Sequence, residues 1–452
     1  MWTRIALATL ALILLMEGTV AGTPKRLELG FPQLSERVQV VLPENYSPDR
    51  KWPSVFYYHG TGGKPTTGLM QAHTRNKDWI VVGMTYTQKG NLPANPQYVE
   101  KEFVILTSTR RHLASKWNLD PKRCYVAGFS KGGWMAGFLL QYDPSLAGGI
   151  ILGAGHQFLI TTPSKFRRAK SLFVGVGRLD ENYPFALRAM VHYRSLGARA
   201  TMMEWSDLGH ALPEGESISL TQWMGIEAHP EKDYGEMAEE WLAERLDVIR
   251  GLPDLVDQWA ALCDVERMPF FRLAGGDERA RAAALRIALE KSGRVGGEAR
   301  ALAAHRILLR REARGHSLPE CQRLATEYLA LSELHGGTRQ AEIALADHER
   351  IKKLMLHLRA QRKIEAEQEA KKEEGQKELP QGPGIDPFNG GGEERRRIPN
   401  NPLLRKCAKS QDGSLEREGQ YPAGYYLPSV SRSASLEGSP ASRIFCWAVA
   451  RS

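Results

Sequence analysis

Short apolar runs alternate with longer stretches of helical periodicity over the first half of the chain. The runs Arg37–Leu42, Ser54–Tyr58, Ile80–Thr85, Arg123–Ala127, Gly149–Leu152, Ser171–Val176 and Ala200–Trp205 read as strands. Several are continuous stretches of Val, Ile, Leu and Phe, as strands buried on both faces require. Between them, Glu100–Trp117, Lys131–Tyr142, Phe185–Leu196 and Asp233–Arg250 carry the spacing of helices. The alternation from about residue 36 to about residue 250 predicts an α/β fold, a mostly parallel sheet flanked by helices.

Strand signal almost vanishes over residues 251–362, where Ala/Leu/Arg stretches place apolar residues at helical spacing. An all-α accessory region of helical hairpins is expected there, with Asp277 as an N-cap and Ser317-Leu318-Pro319-Glu320 as a capping box. Stacked hairpins would offer a surface to a protein or polymer partner, although no repeat of fixed period stands out. The Lys/Glu/Gln-rich run from Arg362 to Lys377 is either the end of a solvated helix or a disordered segment. Residues 363–452 are assigned to a tail, charged at first and then rich in Pro, Gly and Ser, with too little apolar periodicity to fold.

At the amino terminus, Arg4 precedes the apolar run Ile5–Met16, and Thr19-Val20-Ala21 stand before Gly22. That is the order of a secretory signal peptide, here residues 1–21, which leaves 22–250 as the α/β domain. The run is shorter than the roughly 20 residues of a spanning helix, so stable membrane insertion is not expected. A secreted or periplasmic protein is.

Composition adds exclusions rather than direction. With 452 residues, 42% of them hydrophobic and 25% charged, the chain is neither fibrous nor wholly disordered. Its net charge of +9 is a modest excess over a long chain, and the basic cluster Arg395-Arg396-Arg397 adjoins the acidic Glu393 and Glu394, so nucleic acid is not an expected partner. The five cysteines are scattered, which points to neither a disulfide framework nor a metal site.

The chemistry concentrates in the first zone. Gly128-Phe129-Ser130-Lys131-Gly132 follows a predicted strand and opens a predicted helix, the context that the G-x-S-x-G nucleophile elbow demands. Glycines on either side let helix and strand approach closely enough for the Ser130 hydroxyl to project at the sheet's carboxyl edge. Upstream, the strand Ser54–Tyr58 runs into His59-Gly60-Thr61-Gly62-Gly63, where backbone N–H groups can face a cavity. An oxyanion hole would then combine the N–H of Lys131 with that of Thr61 or Gly62. His59 would hold this loop by hydrogen bonds at the edge of the substrate.

The orienting acid and the base must follow the serine in that order. Asp180 stands just past the strand Ser171–Val176, and His210 on the loop after Ala200–Trp205. Glu181 and Asp207 compete for the acid's place, but a residue so close to its neighbour more often caps a turn. His156 follows a strand and could line the cleft, whereas His112 and His192 fall on helix faces. Trp134, Tyr183, Phe185 and Trp205 flank these loops. Trp134 and Tyr183 are candidates for a substrate subsite, and core packing is the alternative. The short interval from His156 to Lys170 predicts an open cleft without a large cap.

The stretch from Val38 through Pro43 to Tyr46, the His59-Gly60 loop, the Ser130 elbow, Asp180 and His210 together resemble secreted esterases of the α/β-hydrolase superfamily. The likeness is to the group of polyhydroxybutyrate depolymerase-like, feruloyl and acetylxylan esterases and esterase D-like enzymes, over about residues 30–250. It is specific for the fold and the triad, not for a substrate. It implies a serine hydrolase acting on small-molecule or polymeric carboxylic esters, with no metal or organic cofactor. Lys131 departs from the family, which usually carries a small or apolar residue after the nucleophile. Its side chain would meet an anionic or polar substrate, or point to solvent. A non-catalytic binding scaffold and a serine peptidase of the same fold are the other readings.

Overall fold

The computed structural model describes residues 25–377, apart from 32–33, 35, 89, 91–95, 157–165, 167–168, 206–207 and 316. The expected signal peptide and the tail beyond Lys377 lie outside the described residues, as does most of the interval expected to leave the cleft open.

All seven predicted strands form, joined by one more at the edge. They are β1 (Arg26–Leu29), β2 (Val38–Val41), β3 (Trp52–Tyr58), β4 (Ile80–Met84), β5 (Leu119–Phe129), β6 (Gly148–Leu152), β7 (Ser171–Gly177) and β8 (Arg199–Trp205). One sheet takes them in the order β1-β2-β4-β3-β5-β6-β7-β8. β2 pairs antiparallel with both β1 and β4 and so runs against the other strands, and every pair from β4 to β8 is parallel. This is the α/β-hydrolase arrangement.

β3, β4, β6 and β7 are buried at every position, which is why their sequences are apolar without alternation. Successive side chains still point to opposite faces. Phe56, Val126, Ile151 and Val174 join the core under α2 (Pro96–Ala114), α3 (Lys131–Tyr142) and α4 (Tyr183–Ser195). Val55, Ala127, Ile150 and Phe173 pack on the other face, with Met70 of α1 (Gly68–Thr74) and Trp223 of α5 (Ile218–Ala228). The parallel register brings the ends of β5, β7 and β8 to one edge, and the loops that leave there carry Ser130, Asp180 and His210.

Three elements carry too little pattern to be read from sequence. β1 is a short edge strand that alternates exposed and half-buried residues and includes charges. α1 has seven residues, and α5 buries Ser219, Gln222 and Glu227 along with its apolar side chains, so neither shows an amphipathic period.

The rest of the described chain is helical: α6 (Gly235–Arg250), α7 (Leu255–Val265), α8 (Pro269–Leu273), α9 (Gly276–Glu290), α10 (Gly293–Glu312), α11 (Leu318–Leu334) and α12 (Arg339–Lys377). The run 362–377 is thus the continuation of a helix. α6 packs with the helical region, because Leu242 and Leu246 share a core with Trp259, Leu262 and Val295. Ser317 caps α11 by accepting from the Glu320 N–H at 3.3 Å, but the Glu320 carboxylate turns to Arg311 and Arg323, so only half of the capping box forms. Gly275, not Asp277, is the N-cap of α9. Asp277 lies in the first turn, where its charge still meets the positive end of the helix dipole. Among the described residues, no helix is long and apolar enough to cross a membrane.

The helical region is not a tethered appendage. Leu309, Tyr328 and Ile351 belong to the same apolar cluster as the sheet's α3 and α4 face. Behind that contact lies a buried set of charges: Arg350 is paired with Glu312 and with Asp347, and the Tyr328 hydroxyl donates to Glu312 at 2.7 Å. Removing one partner of a buried pair strands the other charge in a poorly polarisable interior. Glu312→Ala is therefore expected to lower the unfolding free energy by about 3–5 kcal/mol. Urea titration followed by circular dichroism checks this, and an unchanged midpoint would contradict it.

Candidate active site

Ser130 occupies the single residue between the end of β5 and the start of α3. Its backbone has φ 56° and ψ −119°, a strained conformation for a residue with a side chain. Packing enforces the turn. A β-carbon on Gly128 would lie 2.1 Å from the Gly132 carbonyl carbon, and one on Gly132 would lie 1.9 Å from the Tyr58 carbonyl oxygen. Only glycine lets the helix start this close to β3 and β5. The Ser130 N–H is satisfied by the Leu152 carbonyl at 2.9 Å.

The candidate acid, Asp180, comes from the turn after β7. The Asp180 side chain is fully buried, and Oδ1 accepts the Asn182 N–H at 2.8 Å. Asn182 Nδ2 in turn donates to the Gly153 carbonyl at 3.0 Å, which ties this turn to the end of β6. Asp180 Oδ2 lies 2.8 Å from His210 Nδ1, and His210 Nε2 lies 2.8 Å from Ser130 Oγ. One tautomer serves both contacts: Nδ1–H donates to the carboxylate, and Nε2 accepts from the serine hydroxyl. The imidazole stacks on Phe129, with ring centroids 5.1 Å apart. Burial alone would lower the His210 pKa, but the hydrogen bond and charge of Asp180, with the charge of Glu181, outweigh it and hold the pKa above the ordinary imidazole value.

The glycine-rich loop lies against the serine, since a β-carbon on Gly60 would come within 3.6 Å of Ser130 Cβ. His59 has the holding role: its Nδ1 donates to the Gly60 carbonyl at 2.7 Å, and the Tyr86 hydroxyl donates to the His59 carbonyl at 2.5 Å. Beyond it, Thr61 and Gly62 are exposed, and Gly62 has φ +75°. The Lys131 N–H belongs to the first turn of α3, where backbone donors have no intrahelical acceptor and the dipole favours negative charge.

Several expectations change in three dimensions. The Lys131 side chain neither points to solvent nor lines the cleft. It is buried, with Nζ donating to the Gly90 carbonyl at 2.6 Å and lying 3.8 Å from the centre of the Tyr86 ring. Burial lowers its pKa against the opposing charge of Glu102. Lys131 and Tyr86 thus brace the start of α3 against the glycine-rich loop. No motif announces Tyr86, which follows β4 as an ordinary aromatic residue.

Trp134 and Tyr183 are core residues rather than a substrate subsite. Trp134 packs edge-on against Phe185 at 5.4 Å, and Tyr183 is fully buried beneath the Arg178 guanidinium, 4.0 Å from its ring centre. Both lie in the first turns of helices, and those turns are buried. Trp205 is half-buried against the opposite core. Glu181 is exposed and reaches the site only through its charge. His156 is buried and stacked on His192 at 3.6 Å, and His112 meets the edge of Phe31. Asp207 lies outside the described residues. Among the described residues, no group of three His, Cys, Asp or Glu is placed to hold a metal ion.

No protein-family model matches the chain, and no curated protein does. Solved structures do. The chain is similar to a CE1 ferulic acid esterase from the anaerobic fungus Anaeromyces mucronatus, at 16% identity over 47% of this chain and 89% of the other, with a TM-score of 0.33. It is similar to a carboxylesterase from Mesorhizobium loti, at 15% identity over 44% and 98% of the two chains, with a TM-score of 0.36. It is also similar to an acylaminoacyl peptidase from Pyrococcus horikoshii, at 12% identity over 44% and 39%, with a TM-score of 0.32.

The close approach at Gly132 gives a direct test. Gly132→Ala must displace either α3 or the end of β3, at an expected cost of about 1–3 kcal/mol. It is also expected to move Ser130 away from His210. A thermal melt and labelling of Ser130 by a serine-directed phosphonate, measured together, check both parts; unchanged values would show that the turn tolerates the added carbon.

Proposed function

We propose that this chain is a secreted serine hydrolase that cleaves carboxylic esters through Ser130, His210 and Asp180. The observation that carries the reading is the unbroken run of two 2.8 Å contacts from a buried carboxylate, through one imidazole, to a serine held in a strained turn at a helix start. Strain of this kind persists where the surrounding packing imposes it, and it clusters at functional sites. The choice of esters rests on the resemblance of the motif set to esterases. Export rests on the pattern of residues 1–21.

Chemistry follows from the positions. His210 Nε2 takes the Ser130 proton as Oγ attacks the ester carbonyl carbon. Negative charge that develops on the carbonyl oxygen is met by the Lys131 N–H and by the N–H of Thr61 or Gly62, and each such donor is typically worth about 10²–10³ in rate. The imidazolium, stabilised by Asp180, returns the proton to the departing alcohol and leaves an acyl-Ser130. Water deprotonated by His210 then attacks the acyl carbon, the carboxylic acid leaves, and the serine hydroxyl is restored.

A panel of short-chain chromogenic esters tests this. The wild type is expected to turn over acetyl or butyryl esters and to be labelled at Ser130 by a serine-directed phosphonate. Ser130→Ala is expected to lose about 10⁶-fold in kcat, and Asp180→Asn about 10⁴-fold, through the wrong imidazole tautomer. A folded wild type that neither turns over nor labels would leave the binding-scaffold reading.

The pH profile follows with its sign. His210 must be neutral to act as base, and its pKa is held above the ordinary imidazole value, so kcat/KM falls as pH drops through that raised value. Its acid limb is expected at higher pH than an unperturbed imidazole would give, and Asp180→Asn is expected to move it down. Steady-state rates across a pH series check this, and an acid limb that Asp180→Asn leaves in place would contradict it.

A further inference from the structure

Arg178 stands two residues before Asp180, and the chain around it is tied to the histidine loop. The Arg178 N–H donates to the Trp205 carbonyl at 2.8 Å, and the Leu179 N–H to the Leu208 carbonyl at 2.9 Å. Its side chain leaves the α/β domain. The guanidinium grips Asp347 of α12 with both arms, Nη2 to Oδ2 at 2.5 Å and Nη1 to Oδ1 at 3.2 Å. Among the described residues, Asp347 is the one carboxylate bonded to Arg178. Asp347 is itself fixed, because Arg350 Nη2 donates to Oδ1 at 2.8 Å and His305 Nε2 lies 2.6 Å from Oδ2. Arg178, His305, Asp347 and Arg350 are all buried.

The clamp reaches the acid by a second route. The Arg178 guanidinium covers the Tyr183 ring, and the Tyr183 N–H donates to the Asp180 carbonyl at 3.0 Å. A guanidinium stays charged at any pH a folded protein meets, and a bidentate fork fixes orientation as well as charge. With no carboxylate on α12, a buried and stranded Arg178 has to swing toward water, and the short turn to Asp180 moves with it.

We infer that Asp347 is a positioning residue for Asp180, so that the helical region completes the catalytic unit instead of only accompanying it. This rests on the serine-hydrolase reading above. The bidentate ion pair between Arg178 and Asp347 sets the Gly177–Asn182 turn, and the turn sets the carboxylate that orients His210.

Three full-length variants test it. Asp347→Asn leaves Arg178 without its counter-charge, Arg178→Lys keeps the charge but loses the fork, and the double variant Arg178→Met with Asp347→Met replaces the buried pair by apolar side chains of similar volume. Each is measured on a chromogenic ester for kcat and KM separately, for the acid limb of kcat/KM, and for the rate of phosphonate labelling at Ser130, with a thermal melt alongside. The expected result is a loss of about 10- to 10²-fold in kcat and in labelling rate, the upper end being what an ångström of misplacement costs. KM is expected to hold, and the acid limb to move to lower pH as His210 loses its carboxylate. Tyr328→Phe, which removes a hydrogen bond to Glu312 elsewhere in the same network, is expected to keep wild-type kcat.

The inference is overturned if a folded variant keeps the wild-type kcat and acid limb. It is equally overturned if none of the three folds, because the contact then serves folding and not placement. A wild type that does not label at Ser130 defeats the hydrolase reading itself, whereas a labelled wild type with an equally labelled Asp347→Asn defeats only the role of Asp347.

Discussion

The approach of α3 to the ends of β3 and β5 is the constraint on which the candidate site depends. Gly128 and Gly132 allow it, because any β-carbon at either position would run into backbone. Once the helix starts there, Ser130 has no room for a relaxed turn and takes a positive φ, which lifts its hydroxyl out at the sheet edge. The same approach presents the first N–H of α3 beside that hydroxyl and brings Gly60 alongside Ser130. The strain of one residue is thus maintained by the packing of the apolar clusters on the two faces of the sheet beneath it.

Buried charge supports the site on both sides, by different means. On the serine side, Lys131 is engaged by a carbonyl and an aromatic face, an arrangement that braces the loop. On the acid side, Arg178 meets a full carboxylate that comes from another region of the chain. An ion pair in the interior adds little net stability over apolar packing, but it is costly to break and demanding in geometry. It suits a role in placement. The helical region, joined to the sheet's outer face through Leu309, Tyr328 and Ile351, provides the dry surroundings that give this pair its force.

The strands were readable because burial on both faces demands uninterrupted apolar runs, as in β3, β4 and β7. The strained turn at Ser130 was readable for a steric reason, since two glycines around a serine between a strand and a helix leave few other arrangements. Ser130, Asp180 and His210 were legible as polar residues just past three strands, with Glu181 and Asp207 as competitors for the acid's place; the two 2.8 Å contacts that join the three came only with the fold. β1, α1 and α5 were not legible, because a charged edge strand, a helix of seven residues and a helix that buries polar and apolar residues alike carry no clear period.

The sequence by itself determined the layers of the first domain, the helical character of the region after it and which residues could meet at the sheet's carboxyl edge. These follow from local periodicity and from steric demands that act within a few residues. The tertiary structure alone decided which way side chains face once they arrive: Lys131 inward to Gly90, Tyr183 beneath Arg178, and Arg178 across to Asp347, 169 residues further along the chain. A pairing of buried charges over that distance leaves no trace in residue spacing, because it depends on which faces of two regions pack together.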